Sequence, residues 1–172
     1  MNMKLNNITI RQAQLRDIES IAEIKVIGWQ SAYKDIISDD YLESINIPEQ
    51  IARLNQYSLE TYFVAEKGNE ILGFCRFYDY DKPVYDDKEI DCEIREIYVK
   101  PSMKRSGIGS MLFKHTLNYF KQKGKMKLYL GCFKENHTAR IFYEKMGSSS
   151  APGNDIEIDG KCYPTVSYVY NL

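Results

Sequence analysis

Two glycines that open an apolar helix, with a lysine and an arginine just before them, are the residues here best placed for chemistry. The stretch VKPSMKRSGIGS, from Val99 to Ser110, ends a strand-like run, turns at Pro101 and enters a helical pattern at Gly107. The first N–H groups of a helix have no intrahelical acceptor and point together along the axis, with the positive end of the dipole behind them. Gly107 and Gly109 carry no side chain to hinder a ligand, and Lys104 and Arg105 add charge at the rim. Such a surface suits a phosphate or pyrophosphate. The residues alone are equally compatible with a plain helix start that uses glycine for a tight turn. Two other phosphate motifs are excluded. No Gly-Lys-Ser/Thr follows at P-loop spacing, and Met111 and Leu112 follow Gly109 where a dinucleotide fingerprint needs a third glycine.

The surrounding elements follow from hydrophobic period. Ile8 to Arg11 reads as a strand, and Leu15 to Tyr33 as a helix with Ile18, Ile21, Ala22, Lys25 and Trp29 at helical spacing. Lys25 is the flaw in that apolar face, although its stem can lie along an apolar surface. Short helices are expected over Asp39 to Ser44 and, after a break at Pro48, over Glu49 to Tyr57. Tyr62 to Glu66 and Ile71 to Tyr78 read as strands joined at Gly68-Asn69. Asp79 to Asp91 reads as a polar, acid-rich loop that would favour a cationic ligand if it faced a cleft. Glu93 to Val99 is a strand, Gly107 to Gln122 a helix, Lys127 to Gly131 a strand, and Asn136 to Met146 a helix capped by Gly147. Two strands, Asp155 to Ile158 and Tyr163 to Tyr170, close the chain around Asp159-Gly160. The expected fold is α/β, one domain over residues 1–172, in the order β-α-α-β-β-β-α-β-α-β-β. It has a mixed sheet of six to seven strands and four or so helices.

Composition narrows the function classes. The 172 residues carry a formal net charge of −1, with 44% hydrophobic and 27% charged. No basic field draws the chain to nucleic acid or to an anionic membrane. No apolar run reaches the roughly 18–20 residues of a span, and Met1 to Ile10 lacks a signal-peptide pattern, so a cytoplasmic protein is expected. Cys75, Cys92, Cys132 and Cys162 form no C-x-x-C pair and there are two histidines, His115 and His137, so no metal site is expected.

Two segments together resemble a known family. Lys104 to Gly109 is similar to motif A of the GNAT superfamily of N-acetyltransferases, Q/R-x-x-G-x-G/A, and follows a strand and a proline as that motif does. Asn136, Ala139, Phe142, Tyr143 and Gly147 are similar to its motif B, N-x-x-A-x-x-F/L-Y-x-x-x-G. The element order matches the family's over nearly the whole chain, with a mixed, mostly antiparallel sheet. Two residues depart: Lys104 stands where Gln or Arg is usual, losing the guanidinium fork, and Ser148 stands where an aromatic commonly follows the glycine.

The resemblance implies acetyl-CoA as the acetyl donor and direct transfer to a primary amine in a ternary complex. Lys104, Arg105, Ser106, Gly107, Ile108, Gly109 and Ser110 would line the pyrophosphate. The backbone of Ile97 and Val99 would pair with the pantetheine arm, and an N–H near Tyr98 or Val99 would polarise the thioester carbonyl. Asn136 would touch the cofactor while also capping its helix. Tyr143 would be the general acid that returns a proton to the departing thiolate. Glu93 would be the base toward the amine, with Glu96 second. Trp29 and Tyr33 would wall the acceptor site. A CoA-binding sensor without turnover, or transfer of another acyl group, are the alternatives. The partner is a small-molecule or peptide amine, and the last strands offer an edge for a homodimer.

Overall fold

Alternation at Ile8 and Ile10 forms β1 (Ile8–Gln12), and the next apolar run, after one 3-10 turn, forms α1 (Ile18–Ala32). The computed structural model describes residues 7–84 and 89–172. α2 (Asp39–Ser44) and α3 (Ile47–Leu54) follow. Pro48 opens α3 where the sequence reading had it break the chain before a helix. Proline fits the first helical turn, where its missing N–H is not needed, and the Asn46 side chain caps the helix by accepting Glu49 N–H at 3.0 Å.

Then come β2 (Tyr62–Lys67), β3 (Glu70–Val84), β4 (Ile90–Val99), α4 (Ile108–Gln122), β5 (Lys127–Phe133) and α5 (His137–Lys145). β6 (Ser149–Pro152), β7 (Ile156–Ile158), β8 (Lys161–Tyr163) and β9 (Thr165–Asn171) complete the chain. Seven strands form one sheet in the order β1-β2-β3-β4-β5-β9-β6, mostly antiparallel, with β4 and β5 parallel. The α/β class and the mixed, mostly antiparallel sheet are as expected; the described residues hold five α-helices and nine strands, one helix and two strands more than the expected order.

Three boundaries differ. β3 continues through Asp79 to Val84, where the acidic composition had indicated a loop. Of the expected loop's acids, Asp86 and Asp87 lie outside the described residues. The expected terminal hairpin is instead a separate ribbon of β7 and β8, turning at Asp159 and Gly160 with φ 50° and 72°. β9 leaves that ribbon to pair with β5, and β6, which has no apolar alternation, was not foreseen as a strand.

The chain forms two compact units. The first holds residues through Phe77 together with Glu96–Tyr119, and the second holds Tyr78–Arg95 with Phe120–Leu172. In the first, Ile18, Ile21, Ala22 and Ile24 of α1 pack with Leu54, Tyr62, Val64, Ile71 and Phe74. One ionic network ties its strands to its first helix. Arg11 donates to both oxygens of Asp17, at 2.7 and 2.9 Å, and to both of Glu66, at 2.8 Å each.

Burial raises the Asp17 carboxyl, but the Arg11 hydrogen bond, the Gln14 N–H and the charges of Arg11 and Arg16 together outweigh it and hold the group below the ordinary carboxylate range; the Arg11 hydrogen bond lowers Glu66 as well. Both groups ionise more readily folded than unfolded. Their contribution is therefore complete above about pH 4–4.5 and is lost as the pH falls below it. Asp17→Asn is expected to cost about 2 kcal/mol at pH 7, since one partner is buried and Arg11 is partly solvated. Urea unfolding at pH 7 and pH 3 checks this: the variant's penalty should shrink at the lower pH.

Candidate active site

The loop from β4 to α4 is built by backbone geometry. Val99 leaves the strand, and Lys100 N–H donates to Leu72 carbonyl on β3 at 2.9 Å. A trans peptide points its carbonyl opposite to its N–H, so the Val99 carbonyl faces the edge of β4 away from β3. In extended chain the Val99 N–H points the same way, and alternation puts Ile97 with it.

A 3-10 turn at Pro101–Met103 follows, closed by Met103 N–H on Lys100 carbonyl at 2.8 Å. Ser106 binds Met103 carbonyl through its hydroxyl, at 2.6 Å, and its N–H, at 3.3 Å. Arg105 has φ 61° and Gly107 φ 94°, two left-handed residues through which the chain turns into α4. Gly107 carbonyl accepts Met111 N–H at 3.0 Å and so acts as the cap of α4. The N–H groups of Ile108, Gly109 and Ser110 are the first of the helix and have no intrahelical acceptor. Ile108, Leu112 and Phe113 are fully buried, which fixes this end of α4 in place. Lys104 turns its ammonium to Ser31 hydroxyl at 2.8 Å.

Tyr98 fills the space beside this strand. A Cβ on Gly28 of α1 would lie 2.6 Å from its ring, and a Cβ on Gly73 of β3 would lie 2.7 Å from its carbonyl oxygen. Its hydroxyl is 2.9 Å from that of Tyr33, and Trp29 meets Tyr33 edge-on with ring centroids 4.9 Å apart. Trp29, Tyr33 and Tyr98 thus form one aromatic run.

Two residues apart from the sequence's first choice stand out. Glu96 takes an ion pair from Lys25 at 2.8 Å, while its second oxygen is buried with no hydrogen-bond partner among the described residues. Lys25 is the residue that spoiled the apolar face of α1; a lysine on a packed face needs an anion, and that signal was present in the sequence. Trp29 Nε1 is likewise buried without a partner among the described residues.

In the second unit, Glu93 is 3% exposed. Tyr80 hydroxyl donates to one of its oxygens at 2.7 Å and Arg95 to the other at 2.8 Å. Tyr80 escaped the sequence reading because it lay in the stretch taken as loop. β4 and β5 are registered at Cys92–Leu128 and Glu93–Tyr129, and Asp91 accepts the N–H groups of Met126 and Lys127 at 2.8 and 2.9 Å.

α5 begins at Asn136, whose side chain accepts Ala139 N–H at 3.1 Å, and Gly147 ends it with φ 98°. Tyr143 is largely buried, its ring 5.5 Å from that of Tyr168. Its carbonyl accepts Tyr170 hydroxyl at 2.8 Å and Ser148 hydroxyl at 3.0 Å. Ser148, where an aromatic was expected, thus closes the helix end instead of adding to the core.

Other candidates have structural surroundings. His115 packs edge-on to Phe63 with centroids 4.6 Å apart, and burial lowers its pKa. His137 is exposed. Burial pushes the thiols of Cys75 and Cys132 up to about 12 and about 11, and raises that of Cys92 further. Among the described residues no His, Cys, Asp and Glu group could hold a metal ion, and no helix is long and apolar enough to cross a membrane.

The model of the Acetyltransferase (GNAT) family matches residues 29–148. The chain is 31% identical over 156 residues to the uncharacterized N-acetyltransferase YuaI of Bacillus subtilis (strain 168), covering 89% of this chain and 87% of that one. Its fold is similar to the PaiA N-acetyltransferase of Thermoplasma acidophilum in complex with coenzyme A, with TM-score 0.69, 22% identity, and coverage of 95% and 99%. The yncA protein of Salmonella typhimurium with its cofactor acetyl-CoA gives TM-score 0.67 at 19% identity, covering 96% and 94%. The family match spans the glycine loop, α4, β5 and α5 alike, and this chain belongs to the GNAT family of acetyltransferases.

Proposed function

We propose that the chain is one catalytic domain that moves the acetyl group of acetyl-CoA to a primary amine by direct attack in a ternary complex. The feature that carries this reading is the first turn of α4, where the N–H groups of Ile108, Gly109 and Ser110 have no intrahelical acceptor, next to the left-handed Arg105 and Gly107. A pyrophosphate matches those donors in number and charge. Arg105 adds its charge at the rim, and Lys104 can leave Ser31 for a phosphate. The outward backbone groups of Ile97 and Val99 suit an extended pantetheine arm, added as a strand would be. The cofactor complexes of the PaiA and yncA proteins support the same donor.

In the transfer, the amine nitrogen bonds to the thioester carbonyl carbon and the carbon–sulfur bond breaks. The outward N–H of Val99 stabilises the oxyanion, since the Tyr98 carbonyl, and with it the Tyr98 N–H, faces Gly73 of β3. Tyr143 gives its phenolic proton to the departing thiolate, and a carboxylate takes the proton that the amine loses. The raised thiols of Cys75, Cys92 and Cys132 disfavour a covalent acetyl-cysteine, because the thiolate is the nucleophile. Asn136, already a helix cap, keeps a second lone pair for the cofactor.

Two carboxylates are candidates for the base. Both oxygens of Glu93 are engaged, whereas Glu96 keeps one oxygen without a partner among the described residues, beside Lys25. This favours Glu96 over Glu93, reversing the order drawn from the sequence. Glu96→Gln is expected to lower kcat about 100-fold and Glu93→Gln less than tenfold, on the usual scale of general-base catalysis. Steady-state release of CoA, read with a thiol reagent, measures both.

Titration of acetyl-CoA by calorimetry tests the reading as a whole. Saturable binding followed by amine-dependent CoA release supports it; no binding to folded protein overturns it. Binding without release by any amine would favour a sensor. The four cysteines are all unbridged, which suits the reducing cytoplasm. Pairing of two copies through the exposed edge strand β6 is the homodimer consistent with this fold.

A further inference from the structure

A cleft of about 150 Å³ opens among α1, α2 and α3, lined by Lys25, Trp29, Tyr41, Glu49, Gln50 and Arg53 among others. A cavity of roughly that size elsewhere admits benzene, so it has room for about six heavy atoms. Lys25 at its wall is also the partner of Glu96 on β4, which places the cleft one ion pair from the strand assigned to acetyl transfer.

The groups that remain unspent here are mostly donors. Trp29 Nε1 is buried without a partner among the described residues, and an indole N–H can only donate. Arg53 has no ion pair among the described residues and presents five further donors. Tyr41 packs its ring against Trp29, with centroids 6.5 Å apart, and lines the cleft. Glu49 is exposed at the rim, one turn before Arg53. A buried donor is costly until an acceptor meets it, so the cleft selects for an oxyanion and against a second ammonium.

We propose that this cleft binds a carboxylate carried by the acceptor, making the preferred substrate class an amino acid or similar amino-carboxylate and not a polyamine. The assignment rests on the acetyltransferase reading for its catalytic meaning, while the anion site itself stands on the cleft alone. In that arrangement Arg53 and Trp29 hold the carboxylate. The amine lies toward Glu96, which accepts its proton.

Trp29 is the chain's only tryptophan, so its fluorescence reports on this cleft without any turnover. The experiment titrates the wild type with a set of free amino acids, with the matching amino-acid amides, and with spermidine. At least one free acid should shift Trp29 emission saturably, about tenfold or more tighter than its amide, the scale of one charge-assisted contact. Arg53→Gln should weaken that binding by about tenfold, and Arg53→Lys should recover part of it. Arg53 is exposed, so both variants should fold. Glu49→Gln should leave binding unchanged or tighten it.

Equal responses to acid and amide, or a response to spermidine alone that Glu49→Gln abolishes, would overturn the assignment. Calorimetry with acetyl-CoA separates this from the broader reading. Acetyl-CoA bound with Trp29 silent to every carboxylate refutes the cleft alone. Trp29 responsive to a carboxylate with no acetyl-CoA bound supports the anion site and refutes the acetyltransferase.

Discussion

Gly107→Glu should weaken acetyl-CoA binding by at least about 100-fold, or roughly 2.7 kcal/mol. Two effects add. At φ 94° a side chain strains the backbone, at a cost of order 1–3 kcal/mol, and this tilts the N–H groups of the cradle. The new carboxylate also sits where the pyrophosphate is expected and repels it. Gly107→Ala separates the effects, because it keeps the strain and omits the charge, so its loss should be the smaller. Residue 107 is exposed and Ile108 and Leu112 anchor the helix beyond it, so thermal melting should show both variants folded. Calorimetric titration gives both affinities. Wild-type affinity in the Glu variant would remove the pyrophosphate from this loop.

Tyr143→Phe is expected to lower kcat by about 100-fold, with acetyl-CoA affinity changed by less than about twofold; general acids commonly contribute 10²–10⁴. The ring should hold its place without the hydroxyl. Its carbonyl is fixed by Tyr170 and Ser148, and its ring packs at a tilt against Tyr168. The substitution removes the phenolic proton donor and keeps the ring. The loss should be smaller with acyl donors whose thiol leaving group is more acidic, since such a thiolate needs a proton less. Single-turnover acetyl transfer beside equilibrium titration checks the split. A kcat equal to wild type would return Tyr143 to a packing role.

Local pattern made much of this legible. Gly107 and Gly109 before an apolar helical period marked the proposed anion site, and the left-handed φ of Arg105 is a feature no residue type announces. Asn136 and Gly147 marked both ends of α5 because caps are local chemistry. β6 was hidden because SSAP has no apolar alternation and takes its strand form from pairing with β9. The Asp79–Val84 part of β3 was hidden because acidic residues tolerated on an exposed strand look like loop. The sequence could rank Glu93 above Glu96 only by the family pattern. Which oxygen is already engaged depends on Tyr80, Arg95 and Lys25, and such long-range partners leave no mark on spacing.

Tyr98 touches the space of two glycines, one on α1 and one on β3, and so works as a spacer whose thickness both neighbours must match. Sequence drift at these places cannot be independent. An alanine at 28 would need a slimmer residue at 98, and that residue would give up the hydroxyl contact with Tyr33. An alanine at 73 would meet the Tyr98 carbonyl, which no change of side chain at 98 can move aside. Position 73 is therefore the fixed member of the three, while 28 and 98 are free to change only as a pair. A lineage that remodelled α1 around position 28 would carry a matching change on β4, the strand proposed to hold the donor.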